Sequence, residues 1–347
     1  MTRRLISAAA VIGAAVPAIA QACATCGCSL SSDAATGYSS GPGWRVDLQY
    51  SYIDQSQLRT GTHSVSTPEV ASLNDLGGNQ EVERDTTNRY LTLGVAYSPS
   101  VEWNVAVQVP YVSRSHSTYG AATKDQITPS NLSGSSFDDL GDVRLIASYQ
   151  GFLPTDNLGV QLGMKLPTGR FGGQNVVTGA QVGRSPVYFS SGPNALGGQT
   201  IDSSLQPGTG STDLIVGAYY YQPVSQDFDA FINGRYQVAA LEMLDQANAN
   251  YRPGNQLTIS AGLRYEENPV WVPQLQINYT HKAPDQGVLA DIQDTAGDVV
   301  YVSPGLTVRL DTGFQVYGFV QVPLYSDLIG YQLFPRWTAN AGVSYSF

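Results

Sequence analysis

Charge is scarce in this chain. Asp, Glu, Lys and Arg make up only 13% of its 347 residues, lysine is nearly absent, and histidine occurs three times. A typical soluble domain carries about 25% charged residues, so the composition speaks against a soluble enzyme. Long apolar runs are missing as well. Beyond the first 22 residues no stretch of 18 or more apolar residues occurs, which excludes transmembrane helices. Basic residues are outnumbered 18 to 28, a balance that argues against nucleic acid or anionic lipid as a partner. What the chain has in quantity is glycine (36) and tyrosine (21), with a mean hydropathy of −0.13.

Residues 1–22 read as a secretory signal, with Arg3 and Arg4 as the basic region, residues 5–16 as the apolar run and Ala20-Gln21-Ala22 as the small-residue cleavage site. Taking Arg3 and Arg4 from the 18 basic residues leaves 16 against 28 acidic, a mature net charge of −12. The excess acid falls in stretches that read as loops: Asp75, Glu81, Glu83, Asp85, Asp138, Asp139, Asp285, Asp291 and Asp294. Such loops suit water, and they are placed to hold divalent cations near lipopolysaccharide headgroups.

The last eleven residues set Trp337, Ala339, Ala341, Val343, Tyr345 and Phe347 on one parity and Thr338, Asn340, Gly342, Ser344 and Ser346 on the other. Period two puts one set on each face of a strand. Small and polar residues build no soluble core, so the apolar face must meet lipid, and a closed barrel satisfies every backbone polar group there. The pattern recurs, predicting twelve strands over 44–53, 89–98, 103–112, 142–150, 158–166, 212–221, 228–238, 256–265, 271–280, 304–310, 314–324 and 337–347. Connections alternate between short (99–102, 151–157, 222–227, 266–270, 311–313) and mostly long, the longest being 54–88, 113–141 and 167–211. These are the periplasmic and extracellular ends of an outer-membrane barrel, and an even strand count puts both termini in the periplasm. The expectation is an all-β, up-and-down antiparallel barrel over residues 44–347, preceded by a periplasmic segment, 23–43, that can fold back as a plug.

Aromatic residues sort by strand end. Trp44, Tyr97, Trp103, Tyr149, Tyr220, Phe228, Tyr265, Trp271, Phe314, Tyr345 and Phe347 fall at the short-turn side, while Tyr52, Tyr111, Tyr236, Tyr279 and Trp337 form a sparser opposite girdle. A secreted β-sandwich has no reason to sort them. The terminal Phe347, with Tyr345 and Val343 before it, resembles the signal read by the barrel-assembly machinery.

Inward parity carries Arg45, Asp47, Asp142, Arg144, Lys165, Asp213, Asp229, Arg235, Arg264 and Arg309, with Tyr219 and Tyr317 among the aromatic residues. A charge facing lipid at mid-depth costs about 2–4 kcal/mol, so these groups face water or one another. Inward glycines such as Gly159, Gly163, Gly262, Gly305 and Gly342 leave space between them. Twelve tilted strands enclose a cylinder roughly 24 Å across. Two readings stay open: a selective path whose aromatic faces let a solute slide, or Arg–Asp pairs that brace a closed barrel. Pro110, Pro167 and Pro323 repeat at strand ends, where proline terminates a strand or kinks the rim; a lateral opening through such a kink is the alternative.

Lys165-Leu166-Pro167-Thr168-Gly169, followed by Gln206-Pro207-Gly208-Thr209-Gly210-Ser211-Thr212-Asp213, resembles the paired signatures of the outer-membrane family named for the meta-pathway of phenol degradation. The likeness is best over residues 142–347. It implies a transporter barrel that passes aromatic or other hydrophobic compounds.

All three cysteines lie in Cys23-Ala-Thr-Cys26-Gly-Cys28. Their spacing suits a soft ion such as Cu or Zn, and no His follows to complete a haem-attachment motif. An oxidising compartment favours a disulfide with one thiol over, and lipidation of Cys23 is a third reading. An outer-rim phospholipase would need a Ser–His pair. Only His63, His116 and His281 are available, and each reads better as an interfacial side chain than as a general base. The sequence therefore points to a non-enzymatic channel for small, aromatic or hydrophobic solutes, without a cofactor, whose partners are outer-membrane lipid, lipopolysaccharide and the assembly machinery. The runner-up is a metal or redox accessory barrel acting through Cys23, Cys26 and Cys28.

Overall fold

The structure, a computed structural model, describes residues 41–347 apart from Thr312. The signal segment, most of the segment assigned to a plug and the three cysteines lie outside the described residues. In chain order the elements are β1 (Gly43–Gly61), β2 (His63–Ser64), α1 (Thr67–Asp75), β3 (Glu83–Ser98), β4 (Trp103–Thr118), β5 (Ser133–Leu140), β6 (Val143–Tyr149), β7 (Leu158–Leu166), β8 (Phe171–Gln174) and β9 (Gln181–Arg184). They continue with α2 (Gly192–Leu196), β10 (Ser211–Pro223), β11 (Phe228–Glu242), β12 (Gln256–Tyr265), β13 (Trp271–Lys282), β14 (Gly297–Asp311) and β15 (Phe314–Ser346).

Neighbours in sequence pair antiparallel around a ring of eleven strand elements, closed by β15 against β1, with β2 and β5 attached outside it and β8–β9 a separate hairpin. The last element is itself a hairpin. Its first half pairs with β14 and its second with β1, the amide of Ser346 donates to the carbonyl of Gly313 at 2.8 Å, and Gly330 takes the left-handed φ of 68° at the reversal. Twelve antiparallel runs thus make the wall.

Outward residues are apolar and uncovered. Leu162 is 60% exposed and Ile277 53%, whereas inward Lys165 is 3% exposed and Asn278 0%. Fully burying a Leu or Ile side chain is worth about 1.5–3 kcal/mol, so a belt of them is stable only against lipid. The girdle forms cross-strand contacts at the short-turn end: Trp44–Tyr97 and Trp103–Tyr149 at 4.8 Å and Phe228–Tyr265 at 5.0 Å between ring centroids. At the other end Tyr52 meets Trp337 at 5.7 Å.

Three expectations are corrected. Residues 54–88 and 113–141 are not long loops: β1 runs on to Gly61, β3 starts at Glu83, β4 runs to Thr118, and β5 pairs with its upper half. Between them α1 starts at a capping box, in which Ser66 Oγ accepts from the Glu69 amide at 3.3 Å and Glu69 Oε2 from the Ser66 amide at 3.4 Å. Beyond the apolar belt the outer face also turns polar, as at Ser113, Ser115 and Ser117, so alternation no longer marks the strand. Residues 325–336 likewise continue β15 through its tight turn. Of the three prolines, only Pro167 follows a strand end; Pro110 lies in β4 beside the break between β5 and β6, and Pro323 beside a register shift.

Candidate functional site

The connection from β7 to β10 does not stay outside. Residues 201–203 and 205–208 are buried, and the segment is stitched to the wall by side chains that the barrel points inward. Arg114 of β4 donates to the carbonyl of Leu205 and, at 2.9 Å, to the hydroxyl of Tyr90. The Gln206 side chain holds the segment to itself, accepting from the Val187 amide at 2.7 Å and donating to the Ile201 carbonyl at 3.0 Å. Val187, Phe189, Ile201 and Leu205 form its apolar core.

The two sequence signatures meet at a buried ionic knot. Lys165 Nζ lies 2.8 Å from Asp213 Oδ2 and 3.5 Å from Asp142 Oδ2, beside the hydroxyls of Thr209 and Ser211. Asp142 also accepts from the Gly169 amide at 3.1 Å and the Thr209 amide at 2.9 Å. Asp213 accepts from Ser211 Oγ and Gln237 Nε2, both at 2.6 Å. Glycine at 169 and 208 is required by close approach, because a Cβ on Gly169 would stand 2.9 Å from the Gly208 Cα and one on Gly208 would meet Asp142 Oδ1. Thr168 bridges the break between β5 and β6: its Oγ1 donates to the Gly141 carbonyl at 2.9 Å and accepts from the Val143 amide at 2.8 Å.

Beneath this segment lies a cavity of about 350 Å³. Of the sequence candidates, Asp47, Asp142, Arg144, Lys165, Asp213 and Arg235 line it, while Arg45, Asp229, Arg264, Arg309, Tyr219 and Tyr317 do not. Arg264 and Arg309 sit at the short-turn rim, clamped by Glu266 at 2.8 and 2.9 Å. Tyr219 and Tyr317 are 6% and 1% exposed, and the glycines expected to leave space are covered instead. A Cβ on Gly159 would run into the ring of Tyr219, on Gly262 into Phe231, on Gly305 into Phe319 and on Gly342 into Tyr317. Rings laid over cross-strand glycines fill the wall; they are not faces for a sliding solute.

Across the lumen, between Arg264 and Arg309 at one end and Lys282 at the other, the wall on β12 to β15 is held by neutral groups. Asn278 donates to Ser260 Oγ at 3.3 Å, Ser303 Oγ to Asn278 Oδ1 at 3.3 Å, and Gln321 Nε2 to Ser303 Oγ at 3.3 Å. Thr338 and Asn340 donate to Gln321 Oε1 at 3.0 and 3.3 Å.

Sequence reasoning missed Arg114, Tyr90 and Gln237. Arg114 keeps the inward parity of β4, and following that parity past Val112 would have found it. His116, two residues on, is buried, and its ring lies 2.8 Å from Thr86 Oγ1; burial and the nearby Arg114 push its pKa down to about 3, so it is neutral and forms no true ion pair with Glu83 at 4.0 Å. His63 is exposed, and His281 pairs with Asp298 at 2.9 Å. Above the cavity, Asp202 and Asp291 are 6% and 7% exposed. Burial, and then the Asp291 carboxylate, pushes Asp202 well up, while burial, and then the Asp294 carboxylate, raises Asp291 to about 8. Among the described residues no three His, Cys, Asp or Glu side chains converge as a metal cage.

Closed wall, lipid-type belt, aromatic girdles and infolded loop together define the outer-membrane β-barrel class. The fold is shared with the COG4313 outer membrane channel of Pseudomonas putida F1, at a TM-score of 0.57 and 11% identity over 89% of this chain and 98% of that one. Lower similarity is found with the translocator domain of the autotransporter NalP from Neisseria meningitidis (TM-score 0.46, 13% identity, 89% and 90% covered) and the Ralstonia pickettii toluene transporter TbuX (0.43, 11%, 89% and 90%). The likeness to the first is one of fold. No protein-family model and no curated protein sequence matches this chain.

Proposed function

We propose that this chain is an outer-membrane channel for the passive passage of small organic solutes, aromatic ones among them, with both termini periplasmic. The observation that carries the reading is a polar, charge-lined cavity of about 350 Å³ inside a closed wall whose outer face is apolar. A barrel built only for mechanical anchoring has no use for such a space. The segment over residues 201–210 narrows the lumen, and the knot at Lys165 holds it there. The fold shared with a protein described as an outer membrane channel supports the same role. Lipopolysaccharide around the upper girdle and recognition of Phe347 by the assembly machinery belong to this reading.

Planar-bilayer recording of the full-length protein, and of protein lacking residues 23–43, tests it. Stepwise conductance of the full-length protein is expected, with a larger unit step after truncation if the N-terminal segment plugs the lumen. Reconstituted, correctly folded protein that gives no conductance in either form would overturn the channel reading.

A further inference from the structure

Asp142 and Asp213 of the cavity are fully engaged, Asp47 accepts from the Tyr317 hydroxyl at 3.3 Å, and two of the arginines have no carboxylate partner. Asp142 takes two backbone amides and Lys165; Asp213 takes Lys165, Ser211 and Gln237. Lys282, also in the lining, pairs with Asp285 at 3.0 Å. Arg114 spends its guanidinium on Leu205 and Tyr90. By contrast, Arg144 and Arg235 open into the cavity and neither has a carboxylate within ion-pairing distance among the described residues. Arg144 Nε is buried without a hydrogen-bond partner, and Arg235 reaches only Gln161 Oε1, at 3.4 Å. Arg235 and Gln161 flank Gly217 on the neighbouring strands, and the Gln161 side chain lies over that glycine.

A buried guanidinium nitrogen without an acceptor, as at Arg144 Nε, is costly unless something supplies one, and Arg235 is half-buried on a single long hydrogen bond. We propose that this cavity binds a small organic carboxylate, its two oxygens taken by Arg144 and Arg235, a deepening that rests on the channel reading above. The planar fork of arginine matches a planar carboxylate in paired, charge-assisted hydrogen bonds. Arg114, Arg144, Lys165, Arg235 and Lys282 outnumber Asp47, Asp142 and Asp213 in the lining by two, and by one once Asp285, the partner of Lys282, is counted, a surplus that suits a monoanion. Tyr90, Pro110 and Val112 line the space as well and offer an apolar surface to the organic body of the ligand. A volume of about 350 Å³ falls in the range of roughly 300–1,000 Å³ that holds small molecules.

The test compares benzoate with benzamide, its uncharged near-isostere, by calorimetric titration of the full-length protein in detergent at fixed ionic strength. Saturable benzoate binding without benzamide binding is expected. Arg144→Gln and Arg235→Gln each weaken benzoate about tenfold or more, while Arg235→Lys, which keeps the charge and loses the fork, falls between. Heat-modifiable electrophoretic mobility identifies variants that have kept the barrel, and only those are compared. In a KCl gradient the wild-type channel favours the anion, and the Arg144→Gln, Arg235→Gln double variant loses that preference. Equal binding of the two probes, or benzoate binding indifferent to both arginines, overturns the inference. Conductance without benzoate binding sinks the site and spares the channel; benzoate binding without conductance does the reverse.

Discussion

The two halves of the lumen solve the same problem with different chemistry. On β12 to β15, Ser260, Asn278, Ser303, Gln321, Thr338 and Asn340 pass hydrogen bonds between neutral groups. At the start of β6 and on β7 and β10 the wall is held by a lysine between two aspartates, all three 7% exposed or less. The neutral wall mostly ties a strand to those beside it. The ionic one reaches farther, because Asp142 and Lys165 also grip Thr209 of the infolded loop, and Lys165 grips Ser211 where that loop enters β10. Neutral bonds of this kind are worth about 1 kcal/mol each, whereas a broken buried ion pair costs about 3–5 kcal/mol. Ionic chemistry therefore sits where the chain must be held against its tendency to leave the lumen.

Removing the lysine should break the comparison most severely. Lys165→Met strands Asp142 and Asp213, and a loss of about 3–5 kcal/mol is expected in urea unfolding from lipid vesicles, with larger, noisier conductance as the loop detaches. Wild-type stability in this variant would show that the knot is not what holds the loop. A pH change should act next, and only on the loops that roof the charged side. Asp291 is raised to about 8 from an ordinary value of 3.8, so the folded state binds the extra proton. Its contribution is full below about pH 4 and is lost as pH rises through about 8. Loop proteolysis is expected to accelerate between pH 6 and 9, and Asp291→Asn to flatten that dependence; equal rates at both pH values would refute the assignment.

On the neutral wall, Gln321→Leu removes the acceptor of Thr338 and Asn340. It is expected to cost about 1–3 kcal/mol without moving ion selectivity, so a reversal-potential shift would mean that this wall also filters. The smallest effect belongs to the rim. Glu266→Gln weakens the clamp on Arg264 and Arg309 while keeping an acceptor, at about 1 kcal/mol or less, and unit conductance should stay within the scatter of wild type.

Much of the barrel was legible because alternation is a local signal. The strands at 158–166 and 256–265 were readable to the residue, since lipid outside and water inside impose opposite demands on neighbouring side chains. Legibility failed where the outer face turns polar as well, as in β4 beyond Val112, and with it went Arg114. The signatures at 165–169 and 206–213 were visible as motifs, yet nothing in their spacing says that they grip each other through Asp142. The inward glycines misled for a related reason: a missing side chain looks like space until a ring from the next strand covers it.

The sequence by itself determined a wall, because period two needs no partner to be written and only one solvent fits each face. Tertiary structure alone decided which inward charges are spent and which are left over. That outcome depends on residues 201–213 returning to meet Asp142 and Lys165 from 44 to 67 positions away, a distance over which no periodicity carries information.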